Sequence, residues 1–191
     1  DATPSTTRDL RAWGAVFNFG PTLELIRTLR GPGVGDSHFT SLFGEMIWRT
    51  HDFEYYAANP KSGANLTARV ALSDQNILSS ISAQRLSFYA ESLWNIKQLD
   101  PPLWILGARL GLQTTLTPER TGSGTLLPAE FIYYLGGSAN LRGYGRQELP
   151  DPDGGLTTVF LNFEARLANE LPLGFEPIVF WDMGAIGKRP T

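Results

Sequence analysis

Arg142 is the residue whose surroundings first suggest chemistry. It stands in the stretch Phe131-Ile-Tyr-Tyr-Leu-Gly-Gly-Ser-Ala-Asn-Leu-Arg-Gly-Tyr144, with Gly136 and Gly137 ahead of it and Gly143 directly behind. Glycines at those places let the backbone turn sharply. Apolar Leu141 and aromatic Tyr144 suit a loop tip that inserts into protein better than one that stays in water. A guanidinium taken out of bulk water needs anionic partners, and its planar fork can bridge two carboxylates. That is the chemistry of holding, not of catalysis.

Candidates for bond-making chemistry are few. The two histidines, His38 and His51, fall in separate segments, and there is no cysteine to serve as nucleophile, thiolate ligand or disulfide. The chain has no Gly-Xaa-Ser-Xaa-Gly elbow. Its glycine-rich Gly31–Gly35 lacks the Lys-Ser/Thr ending of a phosphate loop. The expectation is no enzyme, no catalytic residue, no metal and no cofactor. A net charge of -3 without a basic cluster gives no reason to expect a nucleic-acid partner. With 42% hydrophobic and 18% charged residues over 191 positions, the chain is also no disordered segment.

The elements that must position Arg142 read with a period of two. In Thr157 to Leu167 the odd positions Val159, Leu161, Phe163, Ala165 and Leu167 are apolar. The even positions Thr158, Phe160, Asn162, Glu164 and Arg166 are mostly polar. Such alternation predicts a strand with unlike faces. The pattern returns in Phe175–Gly187, Trp104–Thr115, Leu66–Leu72, Gln84–Trp94 and Ser41–Arg49, and more weakly in Ala12–Phe19, Thr22–Arg30 and His51–Ala58. Clusters of Gly, Pro, Asn and Asp at 31–36, 59–63, 100–102 and 150–155 read as connections. The fold class is therefore all-β and antiparallel.

Two architectures alternate in this way, a β-sandwich and a transmembrane barrel. Full charges gather on one set of faces (Glu45, Arg49, Arg69, Arg85, Arg109, Glu164, Arg166, Asp182) and none on the other. Trp13, Trp48, Trp94, Trp104, Trp181 and the pairs Tyr55-Tyr56 and Tyr133-Tyr134 sit where interfacial girdles would form. Arginines outnumber lysines 13 to 3, which suits a lumen whose charges pair in fixed geometry. No window approaches the roughly 18 apolar residues of a membrane helix, whereas a membrane strand needs only about 9–11. The barrel is the better reading. No linker divides residues 1–191 into two domains, and a long loop at about 116–155 joins two of the strands.

That loop and its sequel carry a family resemblance. Leu-Gly-Gly, Leu-Arg-Gly-Tyr, a Pro, Asp and Gly-Gly stretch, Asn-Phe-Glu-Ala-Arg-Leu and Val-Phe-Trp-Asp-Met-Gly follow in order. This series resembles the bacterial outer-membrane protein assembly-factor superfamily, the surface-antigen barrels of BamA and TamA type. The Asn59–Gly63 turn before a new strand is similar too, and the Tyr version of the motif leans toward the TamA branch. The resemblance implies a sixteen-stranded barrel of which residues 1–191 hold roughly strands five to thirteen, as one partial outer-membrane β-barrel with a long inward-folding loop at about 116–155. It implies periplasmic POTRA domains ahead of the barrel, a bacterial or organelle outer membrane, and insertion or translocation of other outer-membrane or secreted proteins. Its partners would be outer-membrane lipid, unfolded clients and further assembly subunits. In the family, a client strand adds at a weak seam between the first and last strands.

For the site, the resemblance implies that Arg142 of the Arg142-Gly143-Tyr144 motif pairs with Asp182 and Glu164, with Tyr144 packed beside them and Gly136-Gly137 as the hinge. A lumen network through Arg109, Arg166 and Glu176 is a further option that parity leaves open. Functional alternatives are a two-partner secretion pore, a barrel anchoring a passenger enzyme, and a soluble β-sandwich binding module.

Overall fold

The computed structural model describes residues 8–12, 14–28, 35–53, 60–77, 79, 81–99, 102–117, 131–149, 154–168 and 175–187. Among them lie β1 (Arg8–Ala12), β2 (Ala15–Thr28), β3 (Gly35–Arg49), β4 (Asp52–Phe53), β5 (Pro60–Ser73), β6 (Ala83–Asn95), β7 (Trp104–Leu116), β8 (Thr157–Leu167) and β9 (Ile178–Gly187). Strands β1-β2-β3-β5-β6-β7-β8-β9 pair in that order, each antiparallel to the next, with β4 attached to β5 at the side. Every step along the path joins sequence neighbours apart from the β4 stub. A meander of this kind needs only hairpin connections.

The two faces separate as the alternation requires. On β8, Thr158, Asn162 and Arg166 are 2%, 2% and 7% exposed, while Val159 and Phe163 on the opposite face are 36% and 41% exposed. Leu42, Val70, Leu72, Leu86, Leu106, Leu110 and Leu112 share that exposed apolar face. Registered pairing keeps like with like, because a one-residue slip would reverse every side chain. The covered face carries the charges and the 131–149 segment.

Several boundaries differ from the expectation. Ala12–Phe19 and Thr22–Arg30 are not two strands: β2 runs unbroken from Ala15 to Thr28 through Gly20-Pro21. Proline is tolerated in a strand where one edge is unpaired, and the described pairing of β1 with β2 stops at Phe19. Ahead of β2, Arg8–Ala12 forms β1, a strand the alternation did not mark, and with β4 off the path eight strands lie on it among the described residues. The Pro60–Gly63 part of the supposed turn lies inside β5, which begins at Pro60 and carries Gly63 at φ +112. His51–Ala58 contributes only Asp52–Phe53, and residues 54–59 lie outside the described set.

The aromatic expectation also changes. Trp94 and Trp104 are 49% and 44% exposed at neighbouring strand ends, and Trp48 is next to last in β3, toward the same end of the sheet. Trp181 stacks on Phe163 with ring centroids 5.8 Å apart, further along the same exposed face. Tyr133 is no girdle residue: it lies in the loop segment, and its Oη accepts a hydrogen bond from Thr115 Oγ1 at 3.2 Å. Trp13, Tyr55 and Tyr56 carry no described side chain.

Candidate functional site

The segment 131–149 returns to the covered face as a hairpin. Backbone bridges join Tyr133 to Gly155, Leu135 to Leu149 and Gly137 to Leu141. Its bend uses Gly136 at φ +121 and Gly137 at φ +98, a region that side chains other than glycine rarely adopt. A Cβ on Gly136 would also collide with the Gly145 carbonyl oxygen. Asn140 closes the bend by accepting the Gly136 N–H on its Oδ1 at 2.8 Å.

The hairpin presents Arg142 to the wall. Its Nε donates to Asp182 Oδ2 at 2.9 Å and its Nη2 to Asp182 Oδ1 at 2.7 Å, a two-pronged pair. The Arg142 backbone N–H also donates to Asp182 Oδ2, at 2.9 Å. Its Nη1 donates to Glu164 Oε2 at 2.9 Å, and Arg109 Nη2 reaches the same oxygen at 3.1 Å. Asp182 and Glu164 lie on adjacent strands, β9 and β8, at positions of the same parity. The cluster sits deep: Asn162, opposite Asp182 in register, is five residues from the start of β8, or roughly 17 Å along the strand.

Packing supports the ion pairs. Phe180 lies under the guanidinium, with Arg142 Cζ 3.9 Å from the ring centroid, an arrangement in which a cation is attracted to the ring face. Asn162 Nδ2 donates to the Asn140 carbonyl at 2.7 Å. The Asp182 side chain is only 5% exposed, and those of Arg142 and Glu164 are each 16% exposed. Hydrogen bonding to Asp182 pushes the Arg142 pKa above its ordinary value, against the opposing effect of burial.

The structure brings Arg142, Glu164 and Asp182 together but distributes the other named residues differently. Tyr144 is 47% exposed, and Phe180, not Tyr144, covers the guanidinium. Its backbone serves instead: Gly137 N–H donates to the Tyr144 carbonyl at 3.0 Å. Gly143 is absent from the positive-φ glycines, and a Cβ there would meet nothing within 4 Å. Of the optional network, Arg109 joins the cluster. Arg166 instead donates through Nη2 to the Pro60 carbonyl at 3.1 Å, and Glu176 is exposed ahead of β9. His51 Nε2 lies 3.3 Å from Glu91 Oε1, so that histidine belongs to the polar wall.

Sequence reasoning passed over Gly184. A Cβ there would sit 2.7 Å from Leu141 Cδ1 and 2.9 Å from Leu135 Cδ1, so the bare backbone forms the seat of the hairpin. Gly184→Val should push the hairpin off the wall at about 1–3 kcal/mol, while Gly143→Ala should leave it seated. Limited proteolysis of the loop in the folded protein reads both. Equal cleavage of the two variants would contradict this assignment.

Comparison with known families decides the class. The Omp85 superfamily domain matches residues 24–190, most of the chain. The chain belongs to the Omp85 superfamily. Among solved structures, BamA from Haemophilus ducreyi lacking POTRA domains 1-3 is similar, with a TM-score of 0.67 and 14% identity. The match covers 90% of this chain and 38% of that one, so this Omp85 chain has the fold of part of a BamA barrel and spans well under half of that structure. No curated protein matches the sequence. The exposed apolar face of the Omp85 sheet is thus its membrane side, the face with the loop is the inner wall, and the protein's place is an outer membrane.

Proposed function

We propose that this Omp85 chain is part of a barrel that inserts or translocates other outer-membrane or secreted proteins, and that Arg142 latches its long loop to the inner wall. The observation that carries the reading is the forked Arg142–Asp182 pair with Glu164 beside it, on two adjacent strands of an Omp85 sheet. Such a pair fixes direction as well as distance, so it holds the loop in one pose. Nothing in this arrangement makes or breaks bonds in a substrate. The work is mechanical: a shaped wall for unfolded client chains, with outer-membrane lipid on the other side.

Gly136-Gly137 is the hinge of that pose, and the Arg142-Gly143-Tyr144 motif is its tip. POTRA domains and further assembly subunits are the partners such a barrel uses to receive clients, and the Tyr form of the motif favours the TamA branch. The test is reconstitution of the full-length protein in lipid vesicles with an unfolded outer-membrane barrel as client. Client that becomes folded and protease-resistant in the bilayer supports an insertase. Client that passes into the vesicle lumen instead marks a secretion pore, and neither outcome above empty vesicles rejects both.

A further inference from the structure

The loop touches the wall at a second place, on other strands than the Arg142 cluster and chemically unlike it. Phe131, at the start of the described loop segment, is 0% exposed. It packs with Phe39 of β3, ring centroids 5.2 Å apart and edge to face, in a cluster with Ile81, Ala83 and Leu156. Arg85 of β6 places its Cζ 4.9 Å from the Phe131 ring centroid, and Arg85 Nη2 lies 3.6 Å from Glu24 Oε1 of β2. Loops run over surfaces because their backbone polar groups need water. A fully buried loop phenylalanine held by residues from β3 and β6 is therefore a fixed point.

The two contacts engage different strands. Phe39 and Arg85 belong to β3 and β6, while Asp182 and Glu164 belong to β9 and β8. Two residues on, Tyr133 bridges to Gly155 just ahead of β8, so the chain turns from the Phe131 seat toward the strands that hold Arg142.

We infer that Phe131 is a second, independent anchor of the loop: an aromatic clasp, seated between Phe39 and Arg85, that keeps the start of the loop seated even when the Arg142 latch opens. This rests on the reading of the loop as a latched element and extends it. One anchor is apolar and one ionic, so they fail under different conditions. Removing the charge at position 142 loosens the latch and leaves Phe131 seated. Full release of the loop requires losing both.

These 191 residues hold no cysteine, so a single reporter thiol is clean once any cysteine elsewhere in the intact protein is replaced by serine. Leu135 is 2% exposed beneath the hairpin, so Leu135→Cys reports seating through its labelling rate by a bulky, membrane-impermeant maleimide. The rate is measured in intact protein in outer membranes, alone and combined with Phe131→Ala, Arg142→Ala or both. We expect each single change to raise labelling a few-fold and the double change to raise it at least tenfold above either. A double variant labelling no faster than Arg142→Ala alone would overturn the clasp. Should Phe131→Ala prevent folding, Arg85→Gln removes the cation over the ring while keeping the ring in place. It should raise labelling in the Arg142→Ala background, and no rise there counts against the clasp. Phe131→Ala raising labelling while Arg142→Ala leaves it unchanged would sustain the clasp and reject the latch.

Discussion

Arg142→Ala is expected to cost about 3–5 kcal/mol of barrel stability, the range for removing one partner of a buried ion pair. The loss falls mainly on Asp182, whose side chain is 5% exposed and which takes both prongs of the fork. Glu164 suffers less, because Arg109 still reaches its Oε2 at 3.1 Å. The backbone N–H at position 142 would still face Asp182, but one neutral donor cannot balance a buried carboxylate. Arg142→Lys should recover little, since an ammonium cannot reproduce a planar fork held on a ring face. In the full-length protein the readout is the folded, heat-modifiable barrel on gels and client assembly in vesicles. Wild-type mobility and activity in both variants would remove the latch from the account.

The second large effect lies on the other face. Leu161→Arg or Phe163→Arg should block membrane insertion, at about 2–4 kcal/mol each for a cation near the bilayer midplane. Both positions flank Asn162, the middle of β8, and point away from the covered face. Phe163 would also lose its stacking on Trp181. Val159 sits nearer the strand end, so Val159→Arg should be milder, because the penalty falls toward the interface. Urea titration of folding into vesicles measures all three. Normal insertion of the Leu161 and Phe163 variants would mean that the faces are reversed.

The faces were legible because alternation is a local property. Val159, Leu161 and Phe163 against Asn162, Glu164 and Arg166 state the orientation of β8 without reference to any neighbour. Strand ends were less legible where turn-forming residues do other work. Gly20-Pro21 reads as a break, yet β2 passes through it where the described pairing with β1 has already stopped. Pro60 opens a strand instead of a turn, which costs nothing because a first residue need not donate.

The site divides along the same line. Arg142, Glu164 and Asp182 stand out as charges at marked positions, and the family resemblance supplied their pairing. Phe180 shares parity with Asp182, so its place on the inner wall was readable, but not its position under the guanidinium. Tyr144 and Gly143 belong to the motif by sequence, yet neither enters the ion cluster. The seat at Gly184 and the clasp at Phe131 depend on the path of a loop across several strands. No local pattern encodes that path.

The most direct test of the central claim is a double-mutant cycle between Arg142 and Asp182 in the full-length protein, read as the unfolding midpoint of the heat-modifiable barrel. If the two hold the loop as one unit, Arg142→Ala and Asp182→Ala each destabilise it, and the double variant loses much less than their sum. Groups in direct contact usually couple by about 0.5–3 kcal/mol, and a buried forked pair belongs at the upper end. Additive losses would mean that Arg142 and Asp182 act separately and that the loop is held by something else.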